Sequence, residues 1–177
     1  MKDQDEMNVL DELNKGACMG MDAIHFILDK VQDHALKEEL NRQYRDYQAI
    51  CLEIKKIYPE FSTEDKEPHK TNKMTKAMTW YGIELRTMFD DRPSKMAELL
   101  LQGTNMGIIE GRRLLNHHQT KGKVHDLLRQ YVDMQEKAVE KLKNFYKKKS
   151  STIRGQTNSF VFFFRKIFKK LNKRYLK

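Results

Sequence analysis

The sequence has few of the residues that build disulfide-linked or irregular proteins. It contains two cysteines, Cys18 and Cys51, without a C-x-x-C motif, and three prolines in 177 residues. A chain of this length can bury a core without cross-links, and isolated cysteines of this kind are typical of reduced thiols in a cytoplasmic protein. We expect no disulfide framework, and we interpret both cysteines as small core residues.

Long apolar stretches are missing as well. The N-terminal segment MKDQDEMNVLDELN is acidic and lacks the apolar centre of a secretory signal peptide. No stretch approaches the roughly 20 apolar residues with which a helix crosses a bilayer. These two features predict a cytoplasmic protein without a membrane-spanning helix.

Acidic residues are absent from the C-terminal end. From Lys147 onward the sequence has eleven Lys or Arg residues and no Asp or Glu, whereas residues 1–146 hold 23 bases and 25 acids. The formal net charge of +9 is therefore concentrated in a tail. Because the body is close to neutral, we do not expect nucleic acid as a partner.

The sequence does contain the period of amphipathic helices. Apolar residues recur every three or four positions from Val9 to Val31 and again from Leu36 to Tyr58, after which Pro59 ends the pattern. The turn between the two segments is so short that the helices must form an antiparallel hairpin. We place this first hairpin at residues 7–58.

A second hairpin is predicted for residues 94–149. Ser94 is the expected N-cap of its first helix, which extends to about His118, and its second helix follows a turn at Gly122.

The two hairpins are separated by residues 59–92, a polar loop followed by a Met-rich crossover helix. We expect one face of this helix to cap the bundle. A surface for a partner around Trp80 and Tyr81 is the alternative, because methionine side chains adapt to varied shapes.

Two glycine motifs indicate that the hairpins are copies of one unit. Gly-x-x-Met-Gly occurs at residues 16–20 and again 87 residues later, at 103–107. The same offset relates RQYRDYQ, residues 42–48, to RQYVDMQ, residues 129–135. We therefore predict an all-α protein: residues 1–149 form a four-helix bundle of two duplicated hairpins joined by a long crossover helix, and a basic amphipathic helix follows.

The first hairpin, LDELNKGACMGMDAIHFILDKVQDHALKEEL, resembles the ferritin-like superfamily, whose small bacterial members include rubrerythrin-type domains. In that superfamily two helices each supply a Glu, and the other two each supply Glu-x-x-His, to a di-iron or di-manganese centre. The resemblance therefore implies a bundle whose centre, in functional members, binds two metal ions.

The metal ligands of that superfamily are missing at the matching positions. Aligned on the Ala23-Ile24 pair, the inward positions instead hold Gly20, Tyr44, Tyr47, Gly107, Tyr131 and Met134. The glycines vacate volume that larger side chains can fill, as close packing requires. We expect these six residues to pack a degenerate metal site, with no metal and no other cofactor.

Two groups of histidines remain as candidate ligands. Asp22 and His25 form the one acid-x-x-His pair in the chain, but they flank the apolar stripe of their helix. His117, His118 and His125 cluster around the second hairpin turn, where they could share an adventitious cation. We interpret these three histidines as exposed polar residues at the turn, whereas Asp22 and His25 are the ligands that the metal-binding alternative would use.

The tail, residues 150–177, consists of a polar linker and an amphipathic segment. Its apolar and basic residues fall on opposite sides of a helix, the pattern of a helix that lies on an anionic membrane surface: Phe160, Phe164, Ile167, Phe168 and Leu171 against Arg165, Lys166, Lys169 and Lys170. Docking on the bundle itself or on another subunit is an equal alternative. Nucleic-acid binding through stacked Phe rings, or an extension without a role, are lesser ones.

We predict a non-enzymatic helical binding or structural module, peripheral to the membrane through its tail, with a protein partner or a homo-oligomer left open. A metal-binding oxidoreductase or metal-storage protein of the ferritin-like type is the alternative. A spore-coat-like or stress-related structural protein is a second alternative.

Overall fold

The computed structural model describes residues 2–61 and 92–147, and this part of the chain forms four α-helices and no strand. The helices are α1 (Lys2–Leu28), α2 (His34–Ile57), α3 (Pro93–His117) and α4 (Gly122–Lys147), and a short 3-10 helix, Tyr58–Glu60, follows α2. The predicted all-α fold is confirmed. The predicted crossover helix and C-terminal helix lie outside the described residues.

The helix ends follow from local sequence, with one correction. Asp33 begins α2 because its Oδ1 accepts a hydrogen bond from the Leu36 N–H at 2.8 Å. The expected N-cap of α3, Ser94, is wrong: Arg92 occupies the N-cap position and Pro93 opens the helix. Proline suits the first helical position, because its φ is already helical and its missing N–H has no partner there.

Contacts between the helices fix their directions. Tyr58 reaches Asp11, and Gly20 packs on Tyr47, so α1 and α2 are antiparallel. In the second hairpin, α3 and α4 are antiparallel in the same way, because Gly107 packs on Gln135 and Gly111 packs on Val132. Between the hairpins, α1 lies beside α3 and α2 beside α4.

The chain leaves the first hairpin and enters the second at opposite ends of the bundle. Glu60 pairs with Lys123 at the start of α4, and Asp5 lies 3.6 Å from His118 at the end of α3. The N-terminus of α1 and the C-termini of α2 and α3 therefore share one end. Arg92, which precedes α3, lies at the other end.

Buried positions in the first hairpin match buried positions in the second, but the number of residues between matching positions differs between the two pairs of helices. Positions of α1 and α3 that are buried together are 87 residues apart: Val9 and Met96, Leu10 and Ala97, Leu13 and Leu100, Ala17 and Thr104, Ile24 and Gly111, Ile27 and Leu114. Those of α2 and α4 are 88 apart: Leu36 and Val124, Leu40 and Leu128, Gln43 and Tyr131, Tyr47 and Gln135, Ile50 and Ala138, Ile54 and Leu142. The second hairpin thus has one additional residue between its two buried faces.

This additional residue corrects the sequence-based alignment of the second helices. The matching letters RQYRDYQ and RQYVDMQ are related by 87, whereas the packing is related by 88. Tyr131 therefore takes the position of Gln43, and Gln135 takes that of Tyr47. Gln48, which matches Gln135 by letter, is exposed.

The core is continuous through all four helices. Its largest fully buried side chains include Leu10 and Ile24 on α1, Leu36 and Ile54 on α2, and Met96 on α3. None of the helices in the described ranges combines the length and the apolar character that a membrane-spanning helix needs.

Candidate functional site

A layer of neutral polar side chains lies halfway along the four helices. Tyr47 comes from α2, Thr104 from α3, and Tyr131 and Gln135 from α4, and each is at most 6% exposed. We call these four residues the central polar layer. They occupy the part of the bundle where the ferritin-like resemblance implies metal ligands.

Glycines on α1 make room for the two tyrosines. A Cβ atom placed on Gly20 would lie 2.6 Å from both Cε1 and Cε2 of Tyr47, and one placed on Gly16 would lie 2.5 Å from the Tyr131 hydroxyl. Because carbon atoms in contact are normally about 3.5–4.0 Å apart, any larger residue at either position has to displace a ring. The glycines therefore let the rings approach the α1 backbone.

A third glycine serves a different side chain from the one expected. A Cβ atom on Gly107 would lie 2.7 Å from Cδ and from Nε2 of Gln135. The sequence repeat predicts Tyr131 and Met134 as the inward residues of α4 instead. The difference follows from the one-residue shift in α4, which turns Gln135 toward α3 at the position that Tyr47 takes in the first hairpin.

Hydrogen bonds and ring contacts join the members of the central polar layer. The Tyr47 hydroxyl donates to Gln135 Oε1 over 3.4 Å, and the Tyr47 and Tyr131 ring centroids are 6.4 Å apart at an interplanar angle of 58°. The Thr104 hydroxyl donates to the Leu100 carbonyl at 2.8 Å. Gln135 Nε2 is buried without a hydrogen-bond partner, which leaves one donor in the layer unsatisfied.

Burial keeps both phenols protonated. Loss of hydration raises the pKa of Tyr47, against a smaller lowering effect of its hydrogen bond with Thr104. Burial also raises the pKa of Tyr131, and the neighbouring Tyr47 adds to the shift because two phenolates would repel each other. At neutral pH the layer therefore consists of uncharged donors and acceptors.

Two of the six expected centre residues lie at the edge of the core. Tyr44 and Met134 are half-buried and pack against the core cluster, whereas Tyr47 and Tyr131 are buried inside it. The predicted centre did not include Thr104 or Gln135. The spacing of Val124, Leu128 and Tyr131 could have identified Gln135, since the next inward step of four residues reaches it.

Two acidic side chains of α2 pair with a neighbouring base. Glu39 accepts hydrogen bonds from Arg42 at 2.6 Å and from Gln43 at 2.8 Å. Burial alone would raise the pKa of Glu39, but these hydrogen bonds outweigh burial and lower that pKa below its usual value. Arg42 also pairs with Asp46 at 2.6 Å. Glu39 and Arg42, together with Lys141, line a surface groove of about 690 Å³ between α2 and α4.

The histidine candidates do not assemble into a ligand set. Asp22 and His25 are exposed on α1, and His117 is exposed at the end of α3. The predicted exposure is wrong for His118 and His125, which are half-buried, and His118 Nδ1 lies 3.6 Å from Asp5 Oδ1. Within residues 2–61 and 92–147, no three His, Cys, Asp or Glu side chains come together as metal ligands could.

The two cysteines, predicted to be small core residues, are in contact with each other. Cys18 on α1 and Cys51 on α2 are both half-buried and reduced. Their side chains form a hydrogen bond across the seam between the helices, and this bond, together with burial, raises the pKa of the Cys51 thiol. Their separation in sequence gives no sign of this proximity.

The remaining predicted contact residues fall outside the described part of the chain. These are Trp80 and Tyr81 of the crossover segment, and the tail residues Phe160, Phe164, Arg165, Lys166, Ile167, Phe168, Lys169, Lys170 and Leu171. Their expected roles stay predictions.

Comparisons with known proteins add no assignment. A scan against protein-family models, a search of curated proteins and a search of solved structures each found no match to this chain. The functional interpretation therefore depends on the residues of the bundle and on the charge pattern of the tail.

Proposed function

We propose that this chain is a non-enzymatic, ferritin-like helical bundle in which neutral side chains take the volume of a metal centre, and that it serves as a binding or structural module. The observation that carries this proposal is the packing of Tyr47 on Gly20. The position that the resemblance assigns to a carboxylate has no side chain, and a neutral phenol ring occupies the space.

The arrangement of the helices supports the ferritin-like part of the proposal. In such bundles two antiparallel hairpins are joined by one long connection, and here residues 61 and 92 lie at opposite ends of the described bundle. The matching buried faces of the hairpins, at offsets of 87 and 88, support an origin by duplication. A single inserted residue accounts for the difference.

Metal content tests the non-enzymatic part of the proposal. We expect protein purified from cells grown with added iron and manganese to contain far less than one tightly bound ion per chain by elemental analysis. We also expect a chelator to leave the thermal unfolding curve unchanged, since a ligand that binds only the folded state stabilises it. Two iron or manganese ions per chain, together with a lower melting temperature after chelation, would support the oxidoreductase or metal-storage alternative instead.

The charge pattern supports a role at a membrane surface. Eleven bases and no acids follow residue 146, and the preceding body is close to neutral, so attraction to anionic lipid is confined to the tail. Each base near such a surface contributes on the order of 1 kcal/mol, and burial of several Phe side chains adds to this. We therefore propose a cytoplasmic protein that associates with anionic membranes through residues 150–177.

Vesicle flotation tests the tail. We expect the full chain to float with vesicles of mixed neutral and anionic lipid, and a chain ending at Lys149 to stay at the bottom of the gradient. A variant with Phe164→Ser and Phe168→Ser is the matched control, because it keeps every base but loses two apolar contacts; its binding should be weaker. Equal flotation of the full and shortened chains would remove the membrane proposal while leaving the bundle proposal intact.

A further inference from the structure

The seam between α1 and α2 brings two thiols together. Cys18 and Cys51 form a side-chain hydrogen bond, and the antiparallel register of the helices explains why they meet. On one side of the pair the Tyr58 hydroxyl donates to Asp11 at 3.0 Å, and on the other side Tyr47 packs on Gly20. The pair is thus held between two fixed contacts of the same two helices.

The thiol pair is accessible as well as close. Both cysteines are half-buried, and neither belongs to the central polar layer. A small neutral oxidant can therefore reach the sulfurs without unfolding the bundle.

We propose that Cys18 and Cys51 are an oxidation site, which hydrogen peroxide converts into a disulfide that joins α1 to α2. In the first step one sulfur, as thiolate, attacks a peroxide oxygen: an S–O bond forms, the O–O bond breaks, and the leaving hydroxide takes up the thiol proton as water. In the second step the other sulfur attacks the sulfenic acid: an S–S bond forms, the S–O bond breaks, and a second water leaves. Two thiols are oxidised and one peroxide is reduced.

The contact lets either thiol begin the reaction. Its hydrogen bond, together with burial, raises the pKa of Cys51, against a smaller lowering effect of the Lys55 ammonium group. Because the thiolate is the nucleophile, the sulfur that loses its proton attacks the peroxide, and the other sulfur, already in contact with it, resolves the sulfenic acid.

The disulfide has a structural consequence that can be measured. It closes a loop that includes the whole first hairpin turn, and such a link restricts the unfolded chain. We expect the oxidised protein to melt higher than the reduced protein, on the order of 10 °C for a chain of this size.

Oxidation of the reduced full-length protein tests the site. After stoichiometric peroxide we expect both thiols to disappear together in maleimide alkylation, the intact mass to fall by two hydrogens, and a peptide that links Cys18 to Cys51. In the Cys51→Ser and Cys18→Ser variants, which lack a second thiol to resolve the sulfenic acid, dimedone should label the remaining cysteine.

A control variant tests whether disulfide formation depends on the contact between the two thiols or only on their number. Cys51→Ala combined with Ala49→Cys keeps two thiols in the chain, but residue 49 is exposed and turned away from α1, two positions along the helix. This variant should give sulfenic acid or intermolecular dimers in place of the internal link. An equally fast internal link in the control, or separate overoxidation of the two native cysteines, overturns the proposal.

Discussion

Replacing Gly20 with alanine is expected to destabilise the bundle by about 1–2 kcal/mol, although alanine is the better helix former. A Cβ atom at this position lies 2.6 Å from two ring carbons of Tyr47. Overpacking of this kind costs about 1–3 kcal/mol, and the gain from replacing glycine in a helix is only about 0.5–1 kcal/mol. The cost of overpacking exceeds the gain in helix propensity because the Tyr47 ring has no space to move into. The ring is 5% exposed, its hydroxyl is hydrogen-bonded to Gln135, and Tyr131 packs beside it.

The steric explanation predicts that Gly20→Ala changes from destabilising to stabilising when the Tyr47 ring is removed. In a Tyr47→Leu background the end of the ring is gone, so Gly20→Ala should stabilise the protein by roughly 0.5–1 kcal/mol through helix propensity alone. Ala49→Gly, on the exposed face of α2, calibrates the propensity difference in this protein. Urea unfolding followed by circular dichroism measures all three effects. The same sign of Gly20→Ala in both backgrounds would falsify the steric account.

The helices, their pairing and most of the core could be predicted from the sequence, because these features depend on local signals. The apolar period located α1, α2, α3 and α4 within a few residues of their observed ends, and the short turn at Asp33 fixed the first hairpin. The start of α3 was misplaced by two residues, since Pro93 and Ser94 both satisfy rules for a helix N-terminus. Arg92 precedes the helix without a side-chain cap.

The members of the central polar layer were only partly predictable, because they depend on how helices that are far apart in sequence are aligned along one another. The repeat RQY-x-D-x-Q predicts the same spacing of 87 residues for both pairs of helices, whereas the buried faces of α2 and α4 are 88 residues apart. One residue corresponds to a rotation of about 100° around a helix axis. Met134 was therefore placed where Gln135 lies. The contact between Cys18 and Cys51 has the same origin: only the register of α1 against α2 brings the two sulfurs together.

Among substitutions in the central polar layer, Gln135→Glu is expected to lower the stability of the folded protein the most. Gln135→Glu keeps the shape of the side chain but introduces a titratable group at a position that is 1% exposed. A carboxylate without hydration there lacks a cationic partner in the layer, whose other members are neutral hydroxyl groups. Burial should raise the pKa of this carboxyl group by two to three units, which corresponds to about 3–4 kcal/mol of lost stability at neutral pH.

The pH dependence of this loss has a defined sign. The folded-state pKa is raised above the unfolded value of about 4.3, so the folded protein binds the proton more tightly than the unfolded chain does. Below that pH the carboxyl group is protonated in both states, and the variant should be close to wild type. As pH rises through the unfolded pKa the loss grows by about 1.36 kcal/mol per pH unit, and it levels off above the folded pKa.

Urea unfolding of the variant and the wild type from pH 3.5 to pH 8 checks this prediction as a difference curve. Gln130→Glu is the matched control, because it makes the same substitution on the same helix at an exposed position, and it should change stability by less than about 0.5 kcal/mol across the range. A flat difference curve for Gln135→Glu would mean that the carboxylate finds water or a cation at the centre. That result would contradict the proposal that closely packed neutral side chains fill the volume of a metal centre.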